Sequence, residues 1–146
     1  MYKISELDTY LFNEGLMEEA YKNNPSLRFF IDLHRDSGSH EKTTTNIDGK
    51  NYAKILFVVG LEHDNYEKNL NLAEKLNNIL KKYNEKLSRG ILKKKGPGVN
   101  GIYNQDFSPE ATLIEVGGEY NTIDEVNNTL KIIAEVIRDY LGEEKV

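Results

Sequence analysis

Two side chains that could do hydrolytic chemistry, His34 and Glu115, lie in or directly after apolar stretches. His34 follows the run of residues 27–33 and has acidic neighbours. In open α/β sheets, ligands bind at the edge where such a strand ends. Glu115 interrupts residues 111–116, so a central strand there would bury a carboxylate, at a cost of several kcal/mol if it is unpaired. A carboxylate of this kind needs a partner, a metal ion, or a raised pKa with a chemical role.

Together the two residues suggest a metal hydrolase. A catalytic zinc ion takes three protein ligands and leaves one position for water, whose pKa falls to about 7. We expect His34 to be a ligand and Glu115 to be the base that passes a proton from the water to the leaving amine. The spacing is not that of a helical His-Glu-x-x-His motif. The alternatives are a hydrogen-bonded histidine at a strand end and a carboxylate paired with Lys or Arg.

Other polar residues are less specific. His40 and His63 fall in polar links, which is typical of solvent-exposed side chains. Tyr103-Asn-Gln-Asp106 precedes the Glu115 strand and could line a cleft, where the side chains of Asn104 and Gln105 would bind amide groups. Turn residues would show the same composition.

The composition excludes several function classes. The chain has 146 residues, which is the size of one domain, and a formal net charge of −5 with a pI near 5.3. This acidic balance argues against nucleic-acid binding. There is no cysteine, hence no thiolate chemistry, and no apolar run of membrane-helix length. The polar N-terminus predicts a soluble chain without an export signal of its own. Seven basic residues within 81–95 fit a solvated helix end or a patch facing a polyanion such as a cell-wall polymer.

The hydrophobic periodicity predicts strands that alternate with helices. The expected order is a helix over 14–23 ended by Pro25, a strand over 27–33, a hairpin of 43–47 and 52–59 around Asp48-Gly49, a helix over 66–87, a short strand at 91–92, a strand over 111–116, and a helix over 122–141 that begins with a capping box. This order predicts an α/β fold whose mixed sheet is flanked by helices. We expect residues 1–24 to form a polar entry segment and helix, and residues 25–146 to belong to a single domain.

Several segments, taken in order, resemble a known family. They are Phe30-Ile-Asp-Leu-His-Arg-Asp36, the stretch from Thr43 to Gly60, Asn65-Tyr-Glu-Lys-Asn-Leu70, Leu87-Ser-Arg-Gly90, Gly101-Ile-Tyr-Asn-Gln-Asp106, Leu113-Ile-Glu-Val-Gly-Gly118 and Asn121-Thr-Ile-Asp-Glu125. In this order and spacing, residues 25–141 resemble the C-terminal part of the stage II sporulation protein P family.

The resemblance implies a cell-wall hydrolase of spore-forming bacteria, similar to the zinc-dependent N-acetylmuramoyl-L-alanine amidases of mixed α/β fold. Its members cut the amide between muramic acid and the stem peptide of peptidoglycan and are also credited with cleaving cross-links. They act outside the cytoplasmic membrane, associated with it, during engulfment and alongside stage II sporulation protein D. By position in the motif, His34 would be a zinc ligand and Glu115 the catalytic carboxylate. We expect Arg35, Asp36, Asn104 and Gln105 to contact the substrate.

The chain departs from the family pattern at the other metal ligands. In the family they come from an earlier strand ending in an Asn/His-Thr-His segment and from an acidic residue further on, many tens of residues before the segment around His34. Here 33 residues precede His34, and none is a histidine. We therefore expect the amidase-like sheet to lack its first strand and the zinc site to be incomplete in this chain. The alternative function is a catalytically inactive peptidoglycan- or partner-binding fragment of the same fold.

Overall fold

A mixed four-stranded sheet forms the centre of the protein. The structure is a computed structural model that describes residues 6–143, with side chains described over residues 14–142. The strands are β1 (Phe30–Asp36), β2 (Thr44–Ile47), β3 (Lys50–Ala53), β4 (Ile55–Gly60), β5 (Ser88–Lys94) and β6 (Ala111–Gly118). The helices are α1 (Glu6–Asn23), α2 (His40–Thr43), α3 (Tyr66–Tyr83) and α4 (Ile123–Glu143), with 3-10 turns at Glu85–Leu87 and Gln105–Phe107.

The order of the strands makes the sheet mixed, as the sequence predicts. The order is β1-β6-β4-β5, in which β1 is parallel to β6, β6 is antiparallel to β4, and β4 is parallel to β5. Strands β2 and β3 form a separate antiparallel hairpin. The predicted α/β class with helices packed on a mixed sheet is confirmed, and β1 and β5 are the edges of the described sheet.

The two faces of the sheet have different roles because side chains alternate along a strand. One face is apolar and packs against α3 and α4, where Ile55, Phe57 and Ile114 are at most 1% exposed. Burying a side chain of this size contributes about 1.5–3 kcal/mol, so this face supplies most of the hydrophobic stabilisation. By register, the other face carries His34, Glu115 and their neighbours. We call it the polar face.

The predicted hairpin is confirmed, but its second strand is interrupted. Asp48 and Gly49 both have positive φ, at 50° and 82°, as the favoured two-residue hairpin turn requires. The expectation of one strand over 52–59 is wrong because the chain leaves the hairpin at Lys54. The Lys54 amide donates to the carbonyl of Thr43 at 2.7 Å, and its carbonyl accepts from the amide of Gly117 at 2.8 Å. The stretch is therefore divided between β3 and β4, which lie in different sheets.

Several other boundaries also differ from expectation, and strand β1 begins at Phe30 instead of the predicted residue 27. Strand β1 extends to Asp36, beyond the predicted end at 33, because β6 offers it a parallel ladder as far as Gly118. Helix α3 ends at Tyr83, before the predicted 87, where Asn84 caps the following 3-10 turn by accepting from the Lys86 amide at 3.0 Å. Strand β5 spans seven residues instead of the predicted two, since β4 pairs with it along its length.

The capping box that begins α4 is confirmed. The backbone amide of Glu125 donates to Thr122 Oγ1 at 3.2 Å, and the Thr122 amide donates back to Glu125 Oε2 at 2.9 Å. At the other end of the chain, α1 stops at Asn23 as predicted, but it begins earlier than residue 14. Residues 1–5 of the predicted entry segment lie outside the described residues. Among the helices described, none has the length and apolarity needed to cross a bilayer.

Candidate functional site

A cavity of about 510 Å³ opens on the polar face of the sheet. Its lining includes His34 and Glu115, together with Arg35 and Asp36 at the end of β1. Four of the six residues predicted to form a site therefore meet in one place. Apolar side chains of β4 contribute to the wall, and β5 adds a basic side.

His34 and Glu115 are direct neighbours across the parallel pair of β1 and β6. They share the polar face, and adjacent strands are separated by about 4.8 Å. The carboxylate of Asp32, two residues before His34 on the same face, lies 2.9 Å from His34 Nε2. A carboxylate in this position orients a histidine ring, as it does for metal-ligating histidines. His34 lies inside β1, two residues before its end, so its predicted place at the strand terminus is wrong by that margin.

One oxygen of the half-buried Glu115 side chain has no partner. Its Oε2 atom is shielded from solvent and has no hydrogen bond, and the described residues provide no Lys or Arg ion pair to it. The pKa of Glu115 is raised, mainly because burial disfavours the charged form. Interactions with His34 and Arg89 lower this pKa, and those with Asp36 and Asp32 raise it. A carboxylate whose pKa lies above its ordinary value is better matched to proton transfer near neutral pH.

Arg35 and Asp36 have structural partners as well as places in the cavity wall. The Arg35 guanidinium donates to the carbonyl oxygens of Gly118 and Asn121, which joins the end of β1 to the turn before α4. Asp36 Oδ2 accepts from Arg89 Nη1 at 2.7 Å, and Asp36 Oδ1 accepts from the Gly38 amide at 3.2 Å. Contact of Arg35 and Asp36 with a substrate stays a prediction.

The cavity lining does not include Asn104 or Gln105. Gln105 is 1% exposed and bonds to β4, donating to the carbonyl of Val58 at 2.7 Å and accepting from the amide of Gly60 at 3.1 Å. It thus extends the hydrogen-bonding ladder of β4 beyond the start of β6. The residue of this segment that does line the cavity is Tyr103, which packs on Val58 and Leu113. Tyr103 and Asn104 both have left-handed backbones, with φ of 53° and 54°.

The sequence of the chain is similar to that of a known protein family. The chain matches the family model of stage II sporulation protein P over residues 8–138. The chain belongs to the stage II sporulation protein P family. It is also 39% identical over 139 residues to stage II sporulation protein P of Bacillus subtilis (strain 168). That alignment covers 94% of this chain and 35% of the relative, so the chain spans about a third of the relative's length. No solved structure matches the chain.

Membership of the stage II sporulation protein P family confirms the resemblance and makes this a sporulation protein. The family match begins at residue 8, within α1, so it takes in most of the segment that the sequence treats as an entry region. His34 and Glu115 both lie inside the matched range.

A complete metal site is not found in the part of this family member that the structure describes. No group of three or more His, Cys, Asp or Glu side chains there could hold a metal ion. A catalytic zinc ion requires three protein ligands. The donor set at His34 therefore fits such an ion only in part, with His34 as one ligand and Glu115 beside it.

Of the two remaining histidines, His40 is exposed as expected, whereas His63 is not. His40 is half-exposed, and its Nε2 lies 3.0 Å from both carboxylate oxygens of the buried Glu125. The ring nitrogens of His63 are shielded from solvent and have no hydrogen-bond partner among the described residues, so the expectation of a solvent-exposed His63 is wrong. The cavity lining contains neither residue.

Proposed function

We propose that the chain carries the catalytic carboxylate and one metal ligand of a peptidoglycan hydrolase. The reaction is hydrolysis of the amide between muramic acid and the stem peptide, during cell-wall remodelling in sporulation. The observation that carries the proposal is the buried, unpaired Oε2 of Glu115 next to His34 in an open cavity. An unpaired buried carboxylate costs stability, and the cost is understandable where the group does chemistry.

Each residue has a defined task in this proposal. Glu115 accepts the proton of the attacking water and delivers it to the amine as the amide bond breaks. His34, oriented by Asp32, would be one ligand of a zinc ion. The zinc ion, when bound, supplies Lewis-acid polarisation of the amide carbonyl. The other ligands have to come from residues outside the described set.

The family resemblance extends the proposal to place and partner. We propose that the whole protein acts outside the cytoplasmic membrane, associated with it, during engulfment. Its partner there would be stage II sporulation protein D. Both proposals go beyond this chain, which spans about a third of the length of its Bacillus subtilis relative.

A second candidate function is a catalytically inactive fragment that binds peptidoglycan or a partner protein. The lack of a three-ligand group in the described part of the chain favours it. Zinc content of the purified 146-residue chain, with His34→Ala as the control, separates the two. One tightly bound ion that is lost in His34→Ala supports a site completed within this chain. Absence of zinc supports the binding fragment for the isolated chain.

Amide cleavage by the full-length protein on purified cell walls tests the role of Glu115. Glu115→Gln is expected to abolish cleavage while zinc stays bound, and His34→Ala is expected to weaken zinc binding and also abolish cleavage. The matched control is Glu119→Gln, because Glu119 is exposed just beyond β6 and should be replaceable without loss. Full turnover by Glu115→Gln would show that the proposed base is wrong.

A further inference from the structure

A bulge in β5 turns an arginine into the cavity. Ser88 pairs with Ile55 and Ile91 with Phe57, so three residue steps on β5 oppose two on β4. Gly90 sits in this bulge with φ of 86°, a conformation that glycine adopts without strain. Strict alternation would place position 90, rather than 89, on the same face as Leu92. The bulge shifts the phase, and Arg89 joins the cavity lining.

The Arg89 guanidinium is held in place from the opposite edge of the sheet. Its Nη1 donates to Asp36 Oδ2 at 2.7 Å, and both side chains are about four-fifths buried, with exposures of 20% and 24%. Asp36 is the one hydrogen-bond partner that Arg89 has among the described residues. A guanidinium has five N–H donors, so Nε and Nη2 remain for a further acceptor. Two parallel N–H donors of this kind bind a carboxylate in bidentate fashion.

The position of Arg89 relative to Glu115 suits a short anionic peptide. One strand, β4, separates β5 from β6, which places the backbones of Arg89 and Glu115 about 10 Å apart. An extended peptide covers about 7 Å in two residues. The Arg89 side chain, reaching inward to Asp36, shortens the gap. Lys94 also lines the cavity but lies five residues further along β5, opposite Gly60, so the charge nearest this gap is that of Arg89.

We propose that Arg89, oriented by Asp36, binds the α-carboxylate of the second stem-peptide residue. This inference rests on the proposed function, because it assumes that the scissile amide lies beside Glu115. It makes the β5 wall a specificity subsite that distinguishes a free carboxylate from a carboxamide. A carboxamide at this position has no charge to attract the Arg89 guanidinium, and its NH2 group would face the guanidinium N–H donors instead of an acceptor.

Two soluble ligands that differ only at this group test the proposal. The 146-residue chain is titrated with N-acetylmuramoyl-L-alanyl-D-glutamate and with N-acetylmuramoyl-L-alanyl-D-isoglutamine, and the Kd of each is measured by calorimetry or amide chemical shifts. The acid is expected to bind about tenfold more tightly, the size of a charge-assisted hydrogen bond. Equal Kd values, or no binding of the acid, would overturn the proposal.

Variants identify the residue responsible. Arg89→Lys keeps the charge but loses the bidentate pair, and should remove most of the tenfold preference. Arg138→Lys is the control, since Arg138 lies exposed on α4, outside the cavity lining, and pairs with Glu135. An unchanged preference in Arg89→Lys, with an unchanged far-UV spectrum, would contradict the assignment. Glu115→Gln should keep the preference, so loss of cleavage and loss of carboxylate recognition are separate readouts.

Discussion

Glu125→Gln is expected to destabilise the fold by about 3 kcal/mol at neutral pH. Glu125 is 6% exposed, and its two oxygens accept hydrogen bonds from four groups. These are Asn121 Nδ2 at 3.0 Å, the Thr122 amide at 2.9 Å, Asn51 Nδ2 at 3.2 Å and His40 Nε2 at 3.0 Å. The NH2 group of a glutamine would replace one acceptor oxygen, so the donors that face it would lose their acceptor.

The magnitude follows from the pKa of Glu125. Burial alone would raise this pKa, but hydrogen bonds from Asn121, the Thr122 backbone and His40, together with the charge of His40, lower it from 4.5 to about 2. Each pKa unit corresponds to ~1.4 kcal/mol, so ionised Glu125 stabilises the fold by about 3 kcal/mol. Because the pKa is lower in the folded state, this stability is fully present above pH 4.5 and is lost as the pH falls toward 2.

Urea denaturation at a series of pH values between 7 and 2 measures the effect. The difference in unfolding free energy between the natural chain and Glu125→Gln should be largest above pH 5 and should shrink as the pH falls to 2. Glu135→Gln is the matched control on the same helix, because the Glu135 side chain is 43% exposed and its pair with Arg138 is worth little. Parallel curves for the natural chain and Glu125→Gln over this range would refute the reasoning.

Three further predictions concern the site and its surroundings. Glu115→Gln should stabilise the fold by about 1 kcal/mol at neutral pH, because it removes a carboxylate oxygen that is buried without a partner. Burial raises the pKa of Glu115, so this gain in stability should grow as the pH rises toward that pKa. A lower unfolding free energy for Glu115→Gln in urea would contradict the prediction. Gly60→Ala should cost about 1–3 kcal/mol, as its Cβ would meet the carbonyl oxygen of Gly101, and an unchanged thermal midpoint would disprove that contact. Replacing all three lysines at 93–95 by serine should weaken cell-wall binding more at low salt than at high salt, whereas equal weakening would exclude an electrostatic role.

The sequence predicts most elements of the fold, and the differences have tertiary causes. Apolar periodicity predicts the core strands and helices because burial of those side chains decides their position. It does not show that the run of 52–59 divides at Lys54, since that division depends on hydrogen bonds to Thr43 and Gly117, which are distant in sequence. The basic sequence of β5 does not have the apolar pattern of a strand. The strand forms because β4 pairs with it.

The candidate site is predicted only where the signal is local. Strand alternation and the burial of a charged residue are enough to select His34 and Glu115, and the structure pairs them in register. Arg89 belongs to a basic run that the sequence does not single out as part of the cavity, because its entry into the cavity depends on the backbone conformation of Gly90. The amide group of Gln105 suits a ligand by its chemistry, but in the structure it bonds to the backbone of β4, which sequence alone does not reveal.

Two carboxylates ten residues apart show how this chain separates stability from chemistry. The fold shields the Oε2 atom of Glu115, in β6, and the whole side chain of Glu125, in the first turn of α4, from solvent. Four donors surround Glu125 and hold its pKa low, whereas Glu115 has none and its pKa is raised by burial. The arrangement of donors, rather than burial, therefore decides which carboxylate stabilises the fold and which is available to accept a proton. The same Asn121 that binds Glu125 also receives Arg35 at its carbonyl, so the stabilising network fastens the end of β1 and keeps His34 beside Glu115.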